Sequence, residues 1–502
     1  MIRCRRRFLS VATWLAFTVA AMAGPASRPN ILFIYTDDQS HRTLGCYRDQ
    51  GAWPWVRTPN IDRLAADGVR FTSAYGASWC TPSRACVMTG LLPHGIRGLT
   101  LTGILEASYD PKVCRHWPAE LRKAGYHTAM IGKWHLSHDA GHGRNWDHSV
   151  VWDQADIKGD WYNDQILSID GAPKAVVPGY STDVYTRFAE DYLRRKHDRP
   201  WMLWLCYNAT HLPNTVHPRH KEQYKDAEAP VPPDVFPPRP GKPAHMQTWC
   251  QWTKREDGMP LYGKGKRQQP LPEMVRGYNR LVSALDEGVG KLLKTLEETG
   301  QLDNTLIVYT SDQGFAWGEH GFAWKVGGYD ACIKAPMIFR LPGSVARGGV
   351  CKQPVTVVDL APTLLGVAGV KLPWTMHGRD LRPLLKDPAA AWDRSVMMEH
   401  FYLKFGEQTD CAVPAKADQG PLPWWISLRQ GRHKYIRTLV ENEIEELYDL
   451  EADPEELTNL ALAPEHRAVL EDFRARLVAE LKRTNARLLK NLPPPRIGKS
   501  AD

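Results

Sequence analysis

Cys80 stands in "WCTPSRACVMTG" (79–90), between an indole and a Thr-Pro-Ser-Arg run that reads as the start of a helix. Pro82 suits a first helical turn, and the free amides of such a turn stabilise negative charge beside residue 80. A cysteine so placed has four uses open to it: thiolate nucleophile, half of a disulfide, metal ligand, or precursor of a residue that is no longer cysteine.

Four other stretches end in polar residues of matching chemistry. "NILFIYTDD" ends in Asp37 and Asp38, "YHTAMIGKWH" in Lys133 and His135, "PWMLWLCYNATH" in Asn208 and His211, and "NTLIVYTSDQG" in Asp312 and Gln313. Each opens with a short apolar run rich in strand formers, as in strands covered on both faces. Ligands of open α/β sheets collect beyond the carboxyl ends of parallel strands, so the four ends are expected to converge. One Asp after a strand is ordinarily a turn or cap residue, but four coinciding ends are not explained that way.

Three carboxylates at one point repel one another unless a cation lies between them. Asp37, Asp38 and Asp312 with an amide oxygen, from Asn208 or Gln313, make an all-oxygen set, which favours calcium or magnesium over zinc and leaves the choice between those two open. Arg84, Lys133, His135, His211 and Lys325 add positive charge or proton-donating groups. A metal with several cationic neighbours suits an ester of a multiply oxygenated acid, sulfate or phosphate. Sulfur is a poor ligand for a hard cation, so a nucleophile that also binds the metal needs oxygen at position 80.

The elements that must position these residues alternate between strand and helix. "EMVRGYNRLVSALDEGVGKLLKTLEETGQLDNT" sets Val275, Tyr278, Val282, Leu285, Val289, Leu292 and Leu296 on one stripe, with Gly300 as a stop signal. Alternation of this kind predicts an α/β fold, a large mostly parallel sheet flanked by helices. After about Leu372 the pattern changes to short strands, "WWISLRQ" and "HKYIRTLV", then "ELYDLEADPEEL" and a terminal helix near Pro464 to Leu488. A catalytic unit over 28–371 and a smaller α+β subdomain with a short antiparallel sheet over 372–490 are expected.

"APVPPDVFPPRPGKP" (229–243) is too rich in proline for regular structure and is expected as a surface excursion, bordering the substrate or simply solvated. His94, Trp134, Trp146, Trp152, Trp161 and the tryptophans near Trp249 are candidates to line a sugar-binding cleft, against the plainer reading of large aromatics as core.

The first residues, "MIRCRRRFLSVATWLAFTVAAMAGPAS", have a basic start, an apolar stretch and a small-residue cleavage site, so residues 1–23 are expected to be an export signal. Arg5 and Arg6 within it have twin-arginine spacing, and the mature protein is expected in the periplasm or secreted. Nothing after residue 30 is apolar for long enough to span a membrane. Of the formal net charge of +8, half lies on Arg3, Arg5, Arg6 and Arg7 of this leader. The mild remaining excess suits an anionic substrate and argues against nucleic acid as a partner. The ten cysteines are scattered, with neither zinc spacing nor the density of a disulfide scaffold.

"CTPSRACVMTG" resembles the signature of type I, formylglycine-dependent sulfatases of the alkaline-phosphatase superfamily. The likeness continues through "RPNILFIYTDDQ", "TPNIDRLAADGVRFTSAY", "GKWHL", "SALDEGVGKLL", "SDQGFAWGEHGFAWK" and "ELYDLEADPEELTNL". It implies that a maturing enzyme oxidises Cys80 to Cα-formylglycine. It also implies that Asp37, Asp38, Asp312, Gln313 and the oxidised residue 80 bind a metal, normally calcium. Gln313 stands where the family usually has Asn or His, and Thr210 where it usually has Pro. The resemblance further implies sulfate-ester hydrolysis through a covalent sulfate ester on residue 80. Arg84, Lys133 and Lys325 would neutralise the sulfonyl oxygens, His211 would protonate the leaving alcohol, and His135 would take a proton from residue 80. Export and a cationic pocket suggest a sulfated carbohydrate substrate. The rival expectations are a phosphodiester or phosphonate hydrolase of the same superfamily and a catalytically dead glycan-binding homologue.

Overall fold

The computed structural model of the chain describes residues 28–153, 160–410 and 420–496. The expected export signal, with Cys4 and its arginines, lies outside them. Among the described residues no helix is long and apolar enough to cross a membrane.

A ten-stranded sheet forms the centre of the molecule. Its five middle strands, Thr305–Ser311, Asn30–Thr36, Trp201–Cys206, His127–Lys133 and His148–Trp152 in spatial order, are all parallel. These include the four apolar runs read from the sequence. Met337–Arg340 joins one flank antiparallel and Ile166–Ile169 the other, so the sheet as a whole is mixed. Asn30–Thr36 is buried along its length, its alternate side chains feeding two separate cores. Ile31, Phe33 and Tyr35 enter one, Leu32 and Ile34 the other, as the two-residue period of a strand requires.

Leu271–Glu298 covers the second face, and every residue of the stripe from Val275 to Leu296 is buried. Gly300 ends the segment at φ +65°, its N–H donating to Glu297 O. Cys80–Thr89 is a different kind of helix: all ten of its residues are buried, so it has no polar face.

The C-terminal part carries a four-stranded antiparallel sheet, Val396–His400, Trp425–Gln430, His433–Thr438 and Glu445–Asp449, followed by the helix Arg467–Arg483. It reaches back to the loop after the central strand Thr305–Ser311. The Trp425 indole donates to Val326 O at 2.9 Å, while Val326 N donates to Ser78 O at 3.1 Å.

The proline-rich segment runs over the surface, with Pro230, Val231, Pro233, Pro237, Pro238 and Pro240 exposed, but it is fastened to the protein by two charged side chains. Arg239 is buried, its guanidinium donating to the carbonyls of Asp234, Val235, Met246 and Trp249 at 2.8 to 3.0 Å. Lys242 is buried too, donating to Tyr448 Oη at 2.8 Å and Glu456 O at 2.7 Å. Irregular backbone leaves carbonyls without ladder partners, and these two side chains supply the donors. Trp134, Trp146 and Trp152 are core as well, and Trp134, Trp146 and Trp204 pack ring to ring at 6.0 to 6.4 Å. His94 is buried with Nδ1 2.7 Å from Glu399. Trp249 packs on Phe322 beside the same core. His94, Trp134, Trp146 and Trp152 are therefore core and not cleft, while Trp249 is half-buried.

Candidate active site

The carboxyl ends of the parallel strands meet the start of the Cys80–Thr89 helix. Asp37 and Asp38 follow Thr36, and Asp312 and Gln313 follow Ser311 on the adjacent strand. Their joint position is fixed through backbone and side chain: Asp38 N donates to Asp312 Oδ1 at 2.8 Å, and Asp37 N to Ala209 O at 3.0 Å. Two glycines allow the close approach. A Cβ on Gly76 would lie 1.9 Å from Asp312 O, and one on Gly132 would lie 1.9 Å from Cys206 O.

Ligand atoms of Asp37, Asp38 and Asp312 all lie within 4.8 Å of one another, fully buried. Cationic side chains interleave with them. Arg84 reaches Asp37 and Asp312 at 3.4 Å each and donates to Lys133 O at 2.8 Å. Lys133 Nζ pairs with Asp37 Oδ2, and Lys325 Nζ lies 2.7 Å from both oxygens of Asp38. Burial works against ionisation of Asp37, but Lys133, His211, Arg84 and Lys325 outweigh it and hold its carboxyl well below the usual range. Asp312 fares differently: burial, then the charge of Asp37, pushes it up to about 8. The three acids are crowded so closely that Asp312 keeps its proton beside Asp37 near neutral pH. Gln313 donates to Asp38 through Nε2, while its Oε1 is buried without a hydrogen-bond partner. Three carboxyl groups crowded at one point, one of them holding a proton that a cation could displace, and an orphaned carbonyl oxygen in the same pocket fit a hard divalent cation.

Cys80 is the first residue of its helix, and its Sγ faces this cluster, 3.3 Å from Asp37 Oδ1 and 3.1 Å from Lys325 Nζ. Burial first, and Asp37 second, drives its thiol well above the ordinary value despite Lys133 and Lys325. An unmodified Cys80 is thus a neutral thiol, not the thiolate nucleophile that the helix start suggested. It is also no half of a disulfide, since the described cysteines, Cys80 included, are free.

Two histidines flank the cluster. His135, at φ +57°, has Nε2 3.1 Å from Ile104 O. A carbonyl only accepts, so Nε2 carries the proton and Nδ1, buried without a partner, is left as a base. Burial, with Lys133 and Arg84 adding to it, holds its pKa well below the ordinary value, so the ring is neutral. His211 donates through Nδ1 to Leu212 O and turns Nε2 towards Asp38, 3.7 Å away. Burial and Lys325 pull it down to about 4 in the absence of substrate. Its ring stacks on Trp161, centroids 4.4 Å apart.

All ten expected site positions are gathered here. Asn208, at the fourth strand end, is not a ligand: its amide donates to Trp161 O and accepts from Ser181 Oγ at 2.9 Å. Of "GEHGFAWK" only Lys325 reaches the cluster, since Glu319 pairs with Arg42 and His320 with Asp234. Three supporting residues carried no separate signal. Ser83 Oγ donates to Asp312 O and accepts from Ala77 N at 2.7 Å. Thr210 donates to Asp37 O and Asp38 O at 3.2 and 3.3 Å, which gives the residue in the usual proline position a use of its own. Tyr278, on the long helix, donates to Asp38 O.

The Sulfatase family model matches residues 29–370. The chain belongs to the sulfatase family. A second model, N-sulphoglucosamine sulphohydrolase C-terminal, matches residues 318–483 of this sulfatase. It is 30% identical to an N-acetylglucosamine-6-O-sulfatase of Bacteroides thetaiotaomicron over 89% of this chain and 85% of that one. It is 29% identical to human N-acetylglucosamine-6-sulfatase, covering 88% and 83%. A solved structure in complex with its substrate D-glucosamine-2-N,6-O-disulfate superposes with a TM-score of 0.78 at 28% identity, over 91% of this chain and 98% of that one. The sulfatase is accordingly a sulfuric ester hydrolase. A phosphonate monoester hydrolase from Silicibacter pomeroyi, at 22% identity and a TM-score of 0.71, shares the fold.

Proposed function

We propose that the enzyme, exported by its leader, removes sulfate from a sulfated carbohydrate, with a 6-O-sulfated N-acetylglucosamine unit the first substrate to try. In this reading Cys80 acts after oxidation to Cα-formylglycine, and calcium is held by Asp37, Asp38, Asp312, Gln313 and residue 80. The observation that carries it is the setting of Cys80 Sγ: Lys325 at 3.1 Å and Asp37 at 3.3 Å, at a helix start, on a thiol that burial keeps protonated. A neutral thiol there is a weak nucleophile, and a hydrated aldehyde would supply oxygen in its place. Names of two relatives and the ligand of a similar structure support the sugar.

When bound, the cation supplies positive charge for the sulfonyl oxygens. Lys133, Lys325 and Arg84 add to that charge from fixed, buried positions, so little reorganisation is needed as negative charge grows on the leaving group. His211 presents Nε2 to the leaving oxygen and delivers its proton there. Burial, then Lys325 and Lys133, keep this imidazole neutral in the empty site, and the arriving anionic ester offsets those two charges so that Nε2 takes up the proton it passes on. His135, neutral with Nδ1 free, accepts a proton from the side chain of residue 80.

Desulfation of a panel of defined sulfated oligosaccharides, beside matched phosphate monoesters, diesters and phosphonates, tests the reading. Release of sulfate from 6-O-sulfated N-acetylglucosamine units at a kcat/KM at least a hundredfold above every phosphorus ester is expected. Preference for a phosphorus ester would overturn it, as would binding of the glycans with no turnover by protein whose residue 80 is oxidised.

A further inference from the structure

Trp161 makes contacts that no part of the chemistry above requires. Its ring lies nearly coplanar with that of His211, 9° between planes and 4.4 Å between centroids. The indole also packs edge-to-face with the buried Trp152, centroids 5.1 Å apart, and Lys133 Nζ lies 5.7 Å from its centroid. Its backbone is held as well. Trp161 O accepts from the Asn208 amide and from Gln165 Nε2 at 2.7 Å, and the Tyr162 hydroxyl donates to His211 O at 2.5 Å. Each partner is thus tied to the rest of the site, while the imidazole itself has one hydrogen bond, Nδ1 to Leu212 O, beside the 3.7 Å approach of Nε2 to Asp38.

We infer that Trp161 is a positioning residue for proton delivery to the leaving group: its indole fixes the plane of the His211 ring so that Nε2 faces the departing oxygen. The inference rests on His211 being the proton donor. That donor is only half-buried, so a ring with a single hydrogen bond would sample several rotamers. Displacing a catalytic group by about 1 Å costs on the order of a hundredfold in rate. Stacking on an indole that is itself packed against Trp152 removes that freedom without adding a charge beside the metal ligands. It also accounts for Asn208, which lies at a catalytic strand end yet spends its amide on Trp161 O.

The test compares an alkyl sulfate, whose leaving group needs a proton, with 4-nitrophenyl sulfate, whose leaving group does not. The wild type, Trp161→Leu, Trp161→Phe and His211→Ala are measured as metal-loaded enzymes. Trp161→Leu is expected to lose at least tenfold more kcat on the alkyl ester than on the aryl ester, with the difference in kcat and not in KM. Trp161→Phe, which keeps a smaller stackable ring, should show an intermediate difference, and carries the test alone if the leucine variant does not fold. Equal losses on both esters in both Trp161 variants would overturn the inference, because that is what a displaced Lys133 or a loosened core would give. If His211→Ala discriminates between the esters and the Trp161 variants do not, only the inference falls. If His211→Ala fails to discriminate, the proton-donor assignment falls and takes the inference with it.

Discussion

Lys325 Nζ lies 2.7 Å from each carboxylate oxygen of Asp38, across 287 residues of chain. Both are buried, and burial works against the charge of Lys325, but Asp38, Cys80 and Asp37 outweigh it and raise its pKa. On the proposed reading a lysine in this position would serve the metal-free protein as well as the reaction, because it pairs a carboxylate that the cation would also use.

Lys325→Met should separate the two roles. Without metal the variant leaves Asp38 with no ammonium partner, a loss of about 3–5 kcal/mol for a broken buried pair. Calcium should then raise the melting temperature of the variant more than that of the wild type, while kcat/KM falls by about 10²–10³ for want of positive charge at the sulfonyl oxygens. Thermal melts with and without calcium, beside initial rates, check both. An equal calcium shift in the two proteins would show that Lys325 and the ion do not share Asp38.

Cation binding should depend on pH through Asp312, which burial and Asp37 push up to about 8. The metal-free folded protein keeps a proton there that the unfolded chain releases near pH 4, so its stability falls as pH rises from about 4 to about 8 and levels off above. Calcium competes with that proton. Its affinity should climb through the same window, with close to one proton released per ion near neutral pH and none above about pH 9. Calorimetry in buffers of different ionisation heat counts the protons. No release at neutral pH would mean that Asp312 is already ionised.

Arg239→Ala should unfold the protein before it harms the site. Four carbonyls lose their donor at once. A cost of roughly 3 kcal/mol or more is expected. Denaturant melts should show it, with KM for a small aryl sulfate unchanged below the transition.

Cys80→Ser removes both the thiol and its oxidation. A single hydroxyl can accept a sulfuryl group but has no second hydroxyl from which to expel it. The expected outcome is one equivalent of sulfate held stably on the protein, visible by intact-mass measurement, and no steady turnover. Sustained turnover by this variant would contradict the covalent scheme.

The strand ends were legible because each couples a short apolar run to acids, amides or bases, and a parallel sheet admits one place for them. The pairing among them was not. That Arg84 spans Asp37, Asp312 and Lys133 O depends on a helix buried all round, whose sequence shows no stripe to orient it. The tryptophans stayed ambiguous for a related reason: Trp134, Trp146 and Trp152 are as apt for a sugar platform as for a core, and only their burial separates them from Trp161. Prolines 230 to 243 carry no periodicity, so nothing in the sequence singles out Arg239 and Lys242 as the donors that fasten the segment.

The state of residue 80 in protein purified from its native host is the most direct measurement. Mass spectrometry of the tryptic peptide containing it should find sulfur and two hydrogens replaced by one oxygen, in a fraction that tracks specific activity across preparations. A peptide with its thiol intact, from enzyme that hydrolyses sulfate esters at full rate, would contradict the account.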